Sequence, residues 1–132
     1  MKKIILLITL LGCVIALNAQ ETSTAKVDTS QMAKIVFDKT VYEYGTIAKG
    51  SEGTCIFKFS NRGKVPLLLS TVKAGCGCTT PSWSKEPIAP GKTGEISVKY
   101  NTSLLGPFSK SITVNSNSVT PAVVLIIKGE VK

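Results

Sequence analysis

The chain has 132 residues, with 16 Lys and Arg against 8 Asp and Glu, four Cys and no His. The length suits one domain, and an apolar fraction of 43% is that of a globular chain rather than a disordered one. Lack of His removes Ser-His-Asp and Cys-His machinery, His-ligated zinc and a His pH switch, and 6% aromatic residues leave little for a base-stacking platform.

The first segment reads as an export signal. Met1-Lys2-Lys3 is a short basic start, Ile4 to Leu17 is apolar except for Thr9, Gly12 and Cys13, and Asn18-Ala19-Gln20 returns to small and polar residues. That is the three-part layout of a secretory signal, with cleavage expected after Ala19. The run is shorter than the ~20 residues of a spanning helix, so residues 1–19 are assigned to the signal and no transmembrane helix is expected in the mature chain. A second reading makes Leu10-Leu11-Gly12-Cys13 a lipoprotein box with Cys13 as the lipid anchor. Apolar chain continues through Val14 to Leu17 past that Cys, and the second Leu is not the small residue such boxes favour. The expected location is therefore the periplasm or cell surface, with anchoring through Cys13 as the alternative.

Residues 20–33 show neither helical nor strand periodicity and read as a flexible leader. Residues 34–132 form the domain, with an apolar period of two. Ile35-Val36-Phe37 is a first short strand, and Val41 to Ile47 is an extended segment closed by Lys49-Gly50. In Thr54 to Ser60, Cys55, Phe57 and Phe59 face one way. Asn61-Arg62-Gly63-Lys64 is a turn, on the ground that Asn and Gly tolerate positive φ. Val65 to Lys73 is a strand with a dense Leu67-Leu68-Leu69 centre. After Gly75 to Thr80, Pro81, Pro87 and Pro90 make Pro81 to Gly91 a crossing that cannot be a central strand, and Pro90-Gly91 suits a type II turn. Glu95 to Tyr100 and Phe108 to Asn115 alternate again. Lys110 shares the parity of Ile112 and Val114, which calls for a bulge or a snorkelling stem. Val123 to Val131 is the last strand. The expected core adds Leu67, Leu69, Ile96, Val98, Ile112, Val114, Leu125 and Ile127 to the inner face of the Cys55 strand.

Strands at this spacing, with turn signals between them, define an all-β fold, an immunoglobulin-like β-sandwich of seven to eight strands. The blocks Y-E-Y-G-T-I-A-K-G, F-K-F-S-N-R-G-K-V-P-L, G-C-G-C-T-T-P and P-I-A-P-G-K-T-G-E-I-S-V-K-Y-N follow one another in this order. The chain here resembles the bacterial secreted family called domain of unknown function 1573. The resemblance covers roughly Ile35 to Lys132, and its most specific block is G-C-G-C-T. It implies an immunoglobulin-like sandwich and carries no assigned catalytic residue. Cys55 is not part of that pattern.

Cys76 and Cys78 are the candidate thiol site. Two residues apart on an extended strand, their Cα atoms would lie ~6.6–7 Å apart, at the edge of disulfide reach. A bond between them needs a bend, which Gly75 and Gly77 permit. Three readings stay open: a structural pair, a redox-active pair, and a Cu(I) site of two thiolates. No further ligand is evident, so no metal and no cofactor is assigned. Cys55 is in phase with Phe57 and Phe59 and reads as core, with a bridge to Cys76 or Cys78 as the alternative. Trp83 is a candidate partner contact or a cap on the core. Lys residues are dispersed and Arg62 is the sole Arg, which does not make a nucleic-acid surface. The expected function is an exported, non-catalytic binding or scaffolding domain whose partner is a protein or glycan of the cell envelope. The alternative is a thiol redox or copper-handling protein.

Overall fold

The computed structural model describes residues 28–132, so the signal assignment, Cys13 and residues 20–27 of the leader lie outside the described residues. Eight strands follow in order: β1 (Ile35–Phe37), β2 (Val41–Ile47), β3 (Thr54–Asn61), β4 (Leu69–Ala74), β5 (Thr79–Trp83), β6 (Thr93–Tyr100), β7 (Gly106–Ser116) and β8 (Ala122–Val131). They form two four-stranded sheets with orders β1-β3-β6-β5 and β2-β8-β7-β4. This is the all-β, immunoglobulin-like sandwich that the alternation implies. Among the described residues no helix is long and apolar enough to cross a membrane.

Period-two patterning sets the faces. In β3, Cys55, Phe57, Phe59 and Asn61 are buried while Thr54, Ile56 and Lys58 are exposed. Their neighbours on β6 follow, with Cys55 opposite Val98 and Phe57 opposite Ile96. The other sheet supplies Ile112 opposite Leu125 and Val114 opposite Val123. Every residue expected on the inner face from Cys55 to Ile127 is buried. Aromatic rings bridge the layers, with Tyr42 6.4 Å from Phe57 and Tyr100 3.8 Å from Phe108, centroid to centroid.

Several sequence expectations are corrected. The last residues of the expected leader belong to the fold: Asp28 caps a short 3-10 turn at Thr29–Gln31, and Ala33 is fully buried and bridges Ser118. Pro81 lies within a strand, β5, opposite Val98. That strand is an edge, where a missing N–H need cost no ladder bond. Val65 to Lys73 is not one strand. Leu67 exchanges two 2.8 Å backbone bonds with Ile88, and the chain then joins the second sheet as β4. Lys110 sits in an unbroken β7–β8 register with no bulge, half-buried on the Ile112 face, so its stem snorkels. Pro90-Gly91 makes the expected type II turn, with Gly91 at φ +78° and Lys92 N–H bonded to Ala89 O. Gly63 has no positive φ; it is Gly because a Cβ would collide with the backbone of Met32, Ala33 and Lys34.

Asn61 ties these segments together. It is fully buried. Its Nδ2 donates to Val65 O at 2.7 Å and Ile88 O at 2.9 Å, and its Oδ1 accepts from Gly63 N–H at 2.9 Å and Lys34 N–H at 3.2 Å. Its main chain bonds Lys92 O and Gly91 N–H. One side chain thus satisfies four backbone groups from three segments.

Two substitutions check this account by urea unfolding. Phe57→Ala should cost about 3–5 kcal/mol through lost buried volume. Asn61→Ala should cost about 3 kcal/mol, because each orphaned buried group carries its own desolvation penalty; a loss within the ~0.5 kcal/mol of an ordinary surface change would refute the role given to Asn61.

Candidate functional site

β4 is an edge of one sheet and β5 an edge of the other. Gly75 to Cys78 carries the chain between them, so both cysteines sit at a corner of the sandwich. The β4–β7 ladder ends at Ala74 opposite Ile112, and Gly75 N–H still bonds Ser111 O at 3.0 Å. The chain then turns. Cys76 and Cys78 are joined by a disulfide, with Cα atoms 5.3 Å apart. The turn brings them inside the usual Cα range, which an extended chain would exceed. Neither Gly75 nor Gly77 has a positive φ, so the bend does not draw on glycine's special conformations.

Both cysteines are half-buried, and Cys78 packs against the core. Thr79 Oγ1 lies 3.7 Å from Cys78 Sγ and 3.9 Å from Cys76 Sγ. With both sulfurs oxidised, only the hydroxyl has a proton to donate. Thr79 N–H donates to Cys76 O, and Asn101 N–H donates to Cys78 O at 2.8 Å. A bridge spanning so few residues restricts the unfolded chain little; loop-closure entropy gives about 1.6 kcal/mol, against ~4.7 for a 100-residue loop.

Asn101 links the corner to the β6–β7 loop. That loop is held in turn by the β2–β3 connection: Thr102 Oγ1 donates to Ser51 O at 2.7 Å, and Gly50 N–H donates to Thr102 O at 3.2 Å. Three connections thus share one end of the sandwich. At its tip Leu104 is 46% exposed and Leu105 64% exposed. Two adjacent leucines in water on a pinned loop are an apolar contact point without a partner in the fold.

Cys55 is free and 3% exposed. The alternative bridge from Cys55 is not formed: Cys76 and Cys78 hold each other, and Cys55 faces the core between the sheets. Burial pushes its thiol pKa up. Burial likewise pushes up the phenol of Tyr44, with Cys55 beside it, and Tyr44 Oη donates to Gly53 O at 2.6 Å. Trp83, the candidate contact, lies opposite Ile96 on β5 and packs against the core, with its Nε1 buried and without a hydrogen-bond partner. For the copper alternative, the two sulfurs are bonded to each other and are not thiolates. Among the described residues, no three His, Cys, Asp or Glu gather as a metal site.

Sequence reasoning found the two cysteines but not their surroundings. Nothing in the local pattern marks Leu104 and Leu105, and the chain positions of Thr79 and Asn101 do not show that both meet the Cys76–Cys78 turn. Lys73 is the nearest cation along the chain, yet it is exposed and opposite Thr113. Lys110 carried a signal, its inward parity, whose meaning depends on which strand lies beside it.

The fold and its loop-bearing end define an immunoglobulin-like sandwich domain. The chain belongs to the family described as protein of unknown function (DUF1573), which it matches over residues 35–131. A protein of unknown function from Porphyromonas gingivalis W83 has a similar structure, with a TM-score of 0.70 and 17% identity, over 82% of this chain and 51% of that one. This chain therefore spans about half of that protein. The PapD-like domain 7 of human CEP192 aligns with a TM-score of 0.64 and 9% identity, over 77% of this chain and 87% of that one. The secreted serine protease VesC from Vibrio cholerae aligns with a TM-score of 0.57 and 15% identity, over 77% of this chain and 24% of that one. No curated protein matches the chain.

The raised Cys55 thiol has a consequence for stability against pH. The folded state keeps this proton to higher pH than the unfolded chain, so the unfolded chain binds fewer protons once pH passes its ordinary thiol value of ~8.5. This contribution is full below that value and is lost as pH rises toward the folded pKa. Denaturant unfolding between about pH 8 and 10 should show a decline that is shallower in Cys55→Val; equal slopes would refute it.

Proposed function

We propose that this protein is an exported, non-catalytic binding domain of the bacterial cell envelope that holds a protein partner on the loop end of its sandwich. The observation that carries this reading is the exposed Leu104-Leu105 pair on a loop pinned at Thr102 and Asn101. A rigid loop presents apolar contacts without a large ordering cost on binding. Exposed leucines favour a protein over a glycan, whose surface is dominated by hydroxyls.

The export part rests on the basic start, the apolar run and Ala19 in the sequence. The occurrence of a similar domain in a secreted bacterial protease is in keeping with it.

The test uses the full-length gene in its own host. The purified chain should begin at Gln20 by mass; a chain still starting at Met1, or a lipidated Cys13, would overturn export as a free domain. A photo-cross-linking residue placed at Ser103 should trap a discrete protein in living cells. Leu104→Ser with Leu105→Ser should abolish that product while stability shifts by no more than about 0.5 kcal/mol each, as expected of exposed positions. Cross-linking that survives the double substitution would remove the loop from the binding surface.

A further inference from the structure

The disulfide corner has features that structural bracing does not need. The bridge closes a minimal loop, with two residues of sequence separation, at the junction of two edge strands. Its two sulfurs are not equivalent. Cys78 packs against the core and its carbonyl is held by Asn101, whereas Cys76 is not among the side chains packed there. A hydroxyl donor, Thr79 Oγ1, stands next to both sulfurs.

A cation lies on the strand paired with β4. The antiparallel ladder pairs Ala74 with Ile112, and Gly75 continues it onto Ser111. Lys110 is the next residue of β7, and the chain turns after Gly75 into Cys76. Lys110 is half-buried on the inner face of β7, between Phe108 and Ile112. The other charged side chains near this corner, Lys73 on β4 and Lys99 on β6, alternate onto the exposed outer faces. A cation beside a cysteine favours its thiolate, the form that attacks disulfides.

We propose that Cys76–Cys78 is a reversible dithiol–disulfide centre that exchanges with cysteine thiols of a protein partner, with Cys76 as the sulfur attacked first. This goes beyond the binding reading and does not require it. The step is balanced. A partner thiolate attacks Cys76 Sγ, forming a mixed disulfide and breaking the Cys76–Cys78 bond, and Cys78 leaves as a thiolate beside Thr79 Oγ1. A second partner thiolate attacks the partner sulfur of the mixed disulfide and releases Cys76 as a thiolate. The partner gains a disulfide and loses two electrons, and Cys76 and Cys78 gain them and take up two protons from solvent. Exchange is stoichiometric and needs no acid–base residue.

Glutathione serves as the probe on the chain as its host produces it. In native buffer, reduced glutathione should open the pair within minutes, with Cys76 and Cys78 both alkylated while buried Cys55 stays unlabelled and so reports an intact fold. Opening only when Cys55 also labels would overturn the proposal, because the bridge would then yield only on unfolding. With glutathione disulfide, Cys78→Ser should accumulate a mixed disulfide at Cys76 at least about tenfold faster than Cys76→Ser does at Cys78. Equal rates would overturn the order of attack. In the reduced chain, Lys110→Met should move the pH profile of Cys76 alkylation upward while Lys110→Arg preserves it; an unchanged profile would overturn the positioning role of Lys110. The glutathione opening of the unsubstituted chain stands even if a substituted chain fails to fold.

Discussion

A buried amide at the end of β3 is the constraint on which one end of this sandwich depends. Main-chain groups at Lys34, Gly63, Val65 and Ile88 approach a region from which water is excluded, and each would be costly if left unpaired. Asn61 has two donors and an acceptor with two lone pairs, and it uses all of them there. An Asp would lose both donors and a Leu would satisfy nothing. The approach of the residues before β1 to Gly63 is possible because Gly63 has no Cβ. The N-x-G spacing therefore joins one residue that pairs the backbone to another that makes room for it.

The opposite end is built differently. There the connections hold one another through single hydrogen bonds, Thr102 to Ser51 and Asn101 to Cys78, around the stacked rings of Tyr100 and Phe108 at 3.8 Å. Leu104 and Leu105 are exposed at this end, and the Cys76–Cys78 bridge there is half-buried. One end of the domain is thus sealed by a saturated polar network, and the other carries the exposed leucines and the disulfide. Binding at loops on a rigid sandwich is a general use of this architecture, and fold alone does not select the ligand.

Much of the fold was legible because β-strands that bury one face must alternate. The alternation of Cys55, Phe57 and Phe59 against Thr54, Lys58 and Ser60 has one interpretation. The misreadings occurred where a local pattern was compatible with two placements. Pro81 ruled out a central strand but not an edge, and only the sheet order shows that β5 has a free side. Leu67-Leu68-Leu69 reads as one strand, yet Leu67 makes an isolated bridge to Ile88 and only Leu69 begins β4. Gly63 reads as a positive-φ turn residue, and its real reason is a contact with backbone some thirty residues earlier in the chain.

By itself the sequence determined the fold class and the inner face of each long strand, and it singled out Cys76 and Cys78 without deciding whether they bond. Those properties follow from local periodicity and spacing. Tertiary structure alone decided that β2 runs parallel to the last strand, with Val41 opposite Ile126 and Ile47 opposite Val131. It also decided that Lys110 lies on the strand paired with β4, and that Cys55 is kept apart from the bonded cysteines. Each depends on which distant strands become neighbours. That is set by packing two complete faces together, and no single segment encodes it.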